Sequence, residues 1–215
     1  MPDVQIVHIV DDDDTVRRSL AFLLEAAGFT VQTHASGVAF LDAAAGLGPG
    51  CVLTDVRMPE MDGLELQRQL IERGISLPVI VMTGHGDVPI AVQALKAGAV
   101  DFIEKPFSDD VLLTAIGAAL RRNRADLKNQ QETTNLTARL ELLTPREREV
   151  LFGLVAGHPN KTIAYDLGIS ARTVEVHRAR VMEKMHARSL SDLVRMALAL
   201  EAGAPGGPLD VKAGH

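Results

Sequence analysis

The chain has 215 residues, a hydrophobic content of 47% and a single cysteine, Cys51. This length is typical of two domains, and no apolar run approaches the roughly 18 to 20 residues that cross a bilayer, which excludes a membrane-spanning protein. One cysteine excludes an internal disulfide framework, and the N-terminus lacks the features of a signal peptide, so we expect a cytoplasmic protein. Residues 1–120 carry 17 acidic against 7 basic residues, and residues 121–215 carry 11 against 15. The first part therefore favours metal cations and the second can face nucleic acid.

Strand-like and helix-like stretches alternate along residues 1–120. Five apolar runs rich in β-branched residues predict strands, and an amphipathic stretch with helical spacing follows each of them. The predicted strands are 4–10, 30–34, 51–54, 78–83 and 100–104, and the predicted helices are 15–27, 37–45, 64–72, 88–97 and 108–122. Five β–α units in a row predict a doubly wound α/β domain with a five-stranded sheet.

The composition changes to polar and helix-tolerant after this domain, and we interpret residues 121–142 as a linker. Spaced leucines favour a helical linker, but a solvated connector stays open. The sequence from Thr144 to Glu147 has the pattern of a capping box, and it opens the first of four short helices. These helices are predicted at 144–157, 160–167, 171–185 and 191–200, and a tight glycine turn at Gly168 makes the middle pair a helix-turn-helix. The Gly- and Pro-rich residues 201–215 are expected to form a flexible tail.

Polar side chains follow the predicted parallel strands at the edge where functional groups gather in this class of fold. They are three carboxylates, a hydroxyl and an ammonium: Asp11, Asp12, Asp55, Thr83 and Lys105. Neighbouring carboxylates repel each other, so a hard divalent cation such as Mg²⁺ is a natural neutraliser. Asp55 is the candidate nucleophile, because a carboxylate can attack phosphorus and form an aspartyl phosphate. Each of these five residues taken alone can have a structural role, but their combination at one edge of the sheet favours a reactive site. We assign only structural roles to His8 and His85.

The motifs VDDD, TDVRMPEMDG, MTGHGD and KAGAVDFIEKPF occur in this order within residues 4–120. This part of the chain resembles a response-regulator receiver domain, which has a flavodoxin-like fold. The resemblance implies that Asp55 is the phosphoryl acceptor and that Mg²⁺ is bound by Asp11, Asp12, Asp55 and the backbone carbonyl of Arg57. It also implies that Lys105 contacts the phosphoryl group, that Thr83 moves to bond a phosphoryl oxygen and that Phe102 changes rotamer with it. The peptide bond before Pro106 is expected to be cis.

Residues 143–200 resemble a LuxR/NarL-type output domain through the motifs TPREREVL and RTVEVHRARVMEKM. The resemblance implies that the helix 171–185 enters the major groove of DNA. The implied base contacts are Glu175, Val176 and Arg178, with Arg180 close behind. The implied phosphate contacts are Lys161, Arg172, Thr173, His177 and Lys184. Glu175 departs from relatives that carry lysine; it can accept a hydrogen bond from cytosine or only position Arg178.

The two halves together resemble the FixJ type of response regulator, notably in GHGDVPIAVQALKAGAVDFIEKPF and PNKTIAYDLGISARTVEVHRA. This implies a two-component transcription activator with no enzymatic role beyond slow chemistry at its own aspartate. The implied partners are a FixL-like sensor histidine kinase, promoter DNA, RNA polymerase and a second copy of the chain, which docks through residues 88–97 and 100–104. An alternative stays open, a phosphate sink or protein-interaction module that binds no specific DNA. The expected division is receiver 1–120, linker 121–142, DNA-binding domain 143–200 and tail 201–215.

Overall fold

The structure is a computed structural model that describes residues 5–44, 46–84 and 88–203, without the side chains of residues 88–91, 202 and 203. The chain divides into two compact units, residues 1–127 and residues 128–215. The predicted helix end at residue 45, His85 and the part of the predicted tail beyond Gly203 lie outside the described residues. Within the described part, no helix combines the length and the apolar character needed to span a membrane.

Unit 1 contains a five-stranded parallel sheet with the strand order β2–β1–β3–β4–β5. The strands are β1 (Ile6–Val10), β2 (Thr30–His34), β3 (Gly50–Asp55), β4 (Val79–Thr83) and β5 (Asp101–Glu104). The inner strands β1, β3 and β4 are buried along almost their whole length. Burial on both faces explains why these strands read as continuous apolar runs in the sequence. The doubly wound α/β fold is thus confirmed.

Five helices cover the two faces of this sheet, and two separate apolar cores lie between helices and sheet. The helices are α1 (Asp14–Ala26), α2 (Gly37–Ala43), α3 (Gly63–Glu72), α4 (Val88–Lys96) and α5 (Asp109–Glu141). Side chains of Asp13, Ser36 and Asp62 cap the first turns of α1, α2 and α3. Helix α5 runs 33 residues and continues past residue 122 through the linker to Glu141, in agreement with the helical linker that the spaced leucines favour. The linker sequence from 121 to 141 contains no glycine or proline that would end a helix.

Unit 2 is helical and has its own apolar core. Its helices after the end of α5 are α6 (Pro145–Val155), α7 (Asn160–Leu167), α8 (Ala171–Met185) and α9 (Leu190–Gly203). The predicted capping box is present, since Thr144 and Glu147 exchange side-chain to backbone hydrogen bonds. Gly168 ends α7 with a left-handed φ of 65°, a conformation that glycine adopts without steric cost. The tight turn between α7 and α8 gives the expected helix-turn-helix.

Two neighbouring imidazoles, one buried and one half-buried, contact the ring of Phe40 in unit 1. His8 on β1 is fully buried, and its Nδ1 lies 3.3 Å from Nε2 of His34 on β2. Burial, followed by the neighbouring charge of His34, lowers the pKa of His8 to about 4. Burial also lowers the pKa of His34. Both rings therefore stay neutral in the folded state at neutral pH.

We expect the stability of unit 1 to fall as the pH drops from about 6.5 to about 4. Across that window the unfolded chain protonates His8 and the folded chain does not, so protons favour unfolding. A pKa depressed from 6.5 to about 4 corresponds to a stability loss of at most about 3 kcal/mol. Urea unfolding of the full chain between pH 4 and 8 measures the slope of the free energy of unfolding against pH. His8→Val should flatten it and the exposed His158→Gln should not; equal slopes for wild type and His8→Val would contradict the assignment.

Candidate functional site

Four polar side chains meet at the carboxyl edge of the sheet in unit 1. β3 ends at Asp55 and β4 ends at Thr83. Asp11 directly follows β1, and Lys105 directly follows β5. Because all these strands are parallel, their ends lie at the same edge, as the sequence predicts.

One ammonium group bridges two carboxylates at this edge. The Nζ of Lys105 lies 2.5 Å from Oδ1 of Asp55 and 3.3 Å from Oδ2 of Asp11. The Asp11 side chain is only 3% exposed, whereas that of Asp55 is 15% exposed. Of the two carboxylates, Asp55 is therefore the more accessible to a reactant from solution.

Burial and the neighbouring charges shift the protonation equilibria of this cluster. Burial is the largest influence on Asp11 and raises the pKa of its carboxyl group, with a further contribution from the charge of Asp55. For Lys105, burial opposes the charged form, but the hydrogen bond and charge of Asp55, then those of Asp11, outweigh it and raise the pKa of the ammonium. Lys105 is therefore charged at neutral pH, and its ammonium is shared by the carboxylates of Asp11 and Asp55.

Backbone groups close to Asp55 also restrict the position of its carboxylate. The backbone N–H of Arg57 donates to Oδ2 of Asp55 over 2.7 Å, which leaves Oδ1 on the side of Lys105. The start of α3 approaches the same residue, since a Cβ on Gly63 would lie 2.4 Å from the carbonyl oxygen of Asp55. The sequence predictions do not include this close approach of Gly63 to Asp55. The Asp62-Gly63 pair shortly after β3 is the signal in the sequence that could indicate it.

Thr83 and Phe102 occupy neighbouring strands beside this cluster. The Thr83 side chain is buried, and its hydroxyl donates to the carbonyl oxygen of Gly84 over 3.0 Å. Phe102 on β5 is 39% exposed, so it is not a core residue. The backbone N–H of Lys105 donates to the Thr83 carbonyl over 2.7 Å, and the Lys105–Pro106 peptide bond is cis. Backbone bonding thus links the end of β4 to the lysine.

The donor set at this edge suits a hard cation, because carboxylate oxygens are the ligands that Mg²⁺ prefers. Asp11 and Asp55 supply these oxygens. Burial and, to a smaller extent, the charge of Asp55 disfavour the ionised form of Asp11, and a bound cation would offset both effects. Asp12 is exposed, and the described residues contain no group of three His, Cys, Asp or Glu side chains placed to hold a metal. The structure thus brings together two of the three carboxylates that the sequence analysis expects to converge.

In unit 2, α8 presents a polar face with basic side chains and buries the opposite one. Val174, Val181 and Met185 pack into the core. The predicted DNA-contacting residues that are exposed are Lys161 on α7 and Arg172, Glu175, Val176 and Arg180 on α8. Thr173, His177 and Arg178 are half-buried. The Nδ1 atom of His177 is buried and has no hydrogen-bond partner among the described residues.

Lys184 is held inside unit 2. Its Nζ lies 2.6 Å from Oε2 of Glu147 and 3.1 Å from the carbonyl oxygen of Leu142. The Glu147 side chain is only 2% exposed, and the same oxygen accepts the backbone N–H of Thr144 in the capping box. A buried carboxylate needs a nearby cation, and Lys184 supplies it. The ammonium of Lys184 therefore joins α8 to the start of α6, a structural role that the sequence analysis does not include.

Glu147→Gln should destabilise unit 2 by about 1 to 3 kcal/mol, because it removes one partner of a buried, hydrogen-bonded charge pair. Burial opposes ionisation of Glu147, but hydrogen bonds from Lys184 and Thr144 outweigh it and lower the pKa of the carboxyl group. Urea unfolding of the full chain at neutral pH tests this. Glu149→Gln, in an exposed pair with Arg146, is the matched control. Equal stabilities of the two variants would contradict a structural role for the pair.

The chain matches two family models, which correspond to its two units. A response regulator receiver domain matches residues 7–117, and the luxR family of bacterial regulatory proteins matches residues 141–197. The transcriptional regulatory protein FixJ of Azorhizobium caulinodans is 56% identical over 198 residues, which cover 92% of this chain and 94% of that protein. The FixJ protein of Rhizobium meliloti is 57% identical over 193 residues, or 90% and 95% of the two chains. This chain belongs to the FixJ-type response regulators.

Solved structures support the assignment of this chain to the FixJ-type response regulators. The structure of response regulator StyR matches with a TM-score of 0.80 at 41% identity, over 90% of this chain and 98% of that one. Full-length FixJ from B. japonicum matches with a TM-score of 0.58 at 50% identity, over 91% and 96% of the two chains. The FixJ-type regulator thus has a receiver domain and a LuxR-type DNA-binding domain, and it is a transcription regulator, not an enzyme.

Proposed function

We propose that a sensor histidine kinase phosphorylates this response regulator on Asp55, and that the phosphorylated form dimerises and activates transcription from promoter DNA. The observation that carries this proposal is the contact between Asp55 and Lys105, 2.5 Å apart at the carboxyl edge of the sheet. Asp55 is the accessible carboxylate of the pair, and its second oxygen is already held by the N–H of Arg57. One oxygen is therefore anchored while the other faces the counter-charge that a phosphoryl group requires.

The proposed reaction is a transfer of one phosphoryl group to a carboxylate oxygen. The Asp55 oxygen attacks phosphorus, the bond from phosphorus to the kinase histidine breaks, and that histidine keeps the bonding electron pair. Lys105 then places its charge near the phosphoryl oxygens. Receiver domains generally bind Mg²⁺ at this site. When bound, the ion supplies further positive charge against those oxygens, and its proposed ligands are Asp11, Asp12, Asp55 and the backbone carbonyl of Arg57.

The proposed switch uses Thr83 and Phe102. The Thr83 hydroxyl now donates to the Gly84 carbonyl, and a phosphoryl oxygen on Asp55 offers it a charged, stronger acceptor. Phe102 on the adjacent strand is partly exposed, which leaves room for a change of rotamer. These changes would alter the faces of α4 and β5 and favour a receiver dimer. A near-complete switch requires the phosphoryl group to favour one state by about 5.5 kcal/mol.

The proposed DNA interface is the exposed face of α8 with the start of α7. Glu175, Val176, Arg178 and Arg180 are proposed to face bases, since recognition helices read the major groove with residues near their N-termini. The residues proposed to contact phosphates are Lys161, Arg172, Thr173 and His177. Lys184 is omitted because its ammonium binds Glu147. A dimer would place two such helices on two half-sites.

We further propose domain boundaries, partners and a location for this protein. We assign residues 1–120 to the receiver, 121–142 to a helical linker and 143–200 to the DNA-binding domain. The predicted tail 201–215 begins inside helix α9, which ends at Gly203. The similarity to FixJ proteins supports a FixL-like kinase as the phosphodonor, RNA polymerase as the partner in activation and the cytoplasm as the location.

A comparison of the full chain with and without acetyl phosphate, in the presence of Mg²⁺, tests the function. We expect the mass of one added phosphoryl group, a shift from monomer to dimer in light scattering, and tighter binding to genomic fragments selected by the phosphorylated protein. Binding should weaken steeply with salt, because phosphate contacts release counterions. Labelling without sequence-specific DNA binding in either state would favour the phosphate sink or interaction module instead.

A further inference from the structure

Asn123 is the one buried residue in the polar stretch from 121 to 130 of helix α5. Its residue is 2% exposed, whereas the other nine residues of that stretch are exposed. It lies beyond residue 117, where the match to the receiver family ends. A buried carboxamide is costly unless its donor and acceptor atoms are both paired. Both polar atoms of the Asn123 carboxamide are therefore expected to have hydrogen-bond partners.

Both polar atoms of Asn123 bind backbone groups at the amino ends of two neighbouring strands. Its Oδ1 accepts from the N–H of Gly50, the first residue of β3, over 3.1 Å. Its Nδ2 donates to the carbonyl oxygen of Ser76, just before β4, over 3.1 Å. Along the ladder of these strands, the N–H of Val52 donates directly to the carbonyl of Pro78. Gly50 and Ser76 stand two residues earlier on each strand, so the Asn123 carboxamide takes the place of the next rung.

A second carboxamide ties the same part of α5 to β1. Nε2 of Gln5, next to the start of β1, donates to the carbonyl oxygen of Leu120 over 2.9 Å. Oε1 of Gln5 accepts from Arg124 over 3.0 Å. Residues 120–124 of α5 are thus bonded to the amino ends of β1, β3 and the segment entering β4. Unit 1 therefore bonds to α5 beyond residue 117, where the match to the receiver family ends.

The strands joined by Asn123 are those that end at Asp55 and Thr83. We propose that Asn123 is a positioning residue that couples β3 and β4 to the helix leading into the DNA-binding domain, a role that rests on the proposed phosphorylation of Asp55. A relative shift of the two strands would break at least one bond to the carboxamide, unless α5 moves with them. A change at the carboxyl ends of β3 and β4 is thereby transmitted to α5 from their amino ends.

Asn123→Asp is the sharpest test, since it preserves size and one of the two bonds. A carboxylate can still accept from Gly50, but it has no proton for the Ser76 carbonyl and repels it. Asn129→Asp makes the same change at an exposed position of the same helix and is the matched control. Gln5→Ala removes the second tie and serves as the test variant if Asn123→Asp fails to fold.

The experiment measures hydrogen exchange of the full chain, with and without beryllium fluoride and Mg²⁺, together with phosphoryl incorporation from acetyl phosphate and DNA affinity. In wild type and Asn129→Asp we expect the ligand to change exchange both around Asp55 and in residues 118–127. In Asn123→Asp the change around Asp55 and the incorporation should persist. The response in residues 118–127 should be lost, and the gain in DNA affinity on phosphorylation should fall about fivefold or more.

The outcomes separate this inference from the proposed function. An Asn123→Asp chain whose α5 responds like wild type, with the full gain in DNA affinity, overturns the coupling role. So does a wild type that responds around Asp55 and not in residues 118–127. A wild type with no incorporation and no response anywhere overturns the phosphorylation of Asp55, and the coupling role with it.

Discussion

Asp55→Asn is expected to abolish phosphoryl incorporation and every effect that depends on it. Asparagine fills the same volume, but its amide oxygen is a far weaker nucleophile and forms no acyl phosphate. The variant also removes the closer of the two carboxylates that bind Lys105. Mass spectrometry after acetyl phosphate treatment should show no added phosphoryl group, and the phosphodonor should no longer cause dimerisation or raise DNA affinity. DNA affinity without phosphodonor should equal that of the untreated wild type.

Asp42→Asn is the matched control, because Asp42 is an exposed acidic residue on α2. It should be labelled and should bind DNA as the wild type does. If Asp55→Asn still gains a phosphoryl group, the acceptor is a different side chain, and peptide mapping would identify it. Labelling that disappears while phosphodonor-dependent DNA binding persists would separate the chemistry from the switch and contradict the proposed mechanism.

Most of the fold could be predicted from the sequence, because the residues that end its helices lie at or next to those ends in the sequence. Glycine and capping residues mark the ends of the first four helices, and the predicted boundaries differ from the observed ones by one or two residues in most elements. The location of Asp55, Thr83 and Lys105 at one edge of the sheet could also be predicted, because the carboxyl ends of parallel strands lie on the same side. The helical linker within α5 also agrees with the sequence, which has no helix breaker between residues 121 and 141. How far the receiver domain contacts this helix depends on tertiary packing and could not be predicted.

The polar pairings could not be predicted in the same way. Asn123 binds groups 73 and 47 residues away, and Lys184 binds Glu147 from 37 residues away. In the sequence Asn123 sits in a polar stretch and Lys184 lies on the polar face of α8, so the pattern predicts exposure to solvent for both. Which polar atom fills a gap between strands, or neutralises a buried carboxylate, depends on packing between distant elements. The resemblance to LuxR/NarL-type domains implies a phosphate contact for Lys184, whereas its ammonium lies against Glu147.

Gly63→Ala should damage both the stability of the receiver and the geometry of Asp55. A Cβ at position 63 would lie 2.4 Å from the Asp55 carbonyl oxygen and 3.2 Å from Cγ2 of Thr54. The first contact is with backbone, which cannot rotate away, and the N–H of Gly63 is also bonded to the Val56 carbonyl over 3.0 Å. Either α3 or the end of β3 must move. Overpacking of this kind costs about 1 to 3 kcal/mol, measured by urea unfolding.

The rate of labelling by acetyl phosphate distinguishes the two ways of relieving this clash. Gly48→Ala is the control, because a Cβ there meets nothing within 4 Å, and it should leave both stability and labelling near wild-type values. If β3 moves in Gly63→Ala, Asp55 shifts relative to Lys105, and a misplacement of about 1 Å slows the reaction on the order of a hundredfold. If α3 moves instead, stability falls while the labelling rate stays near that of Gly48→Ala. That second result would assign Gly63 to the packing of α3 and remove it from the residues that position Asp55.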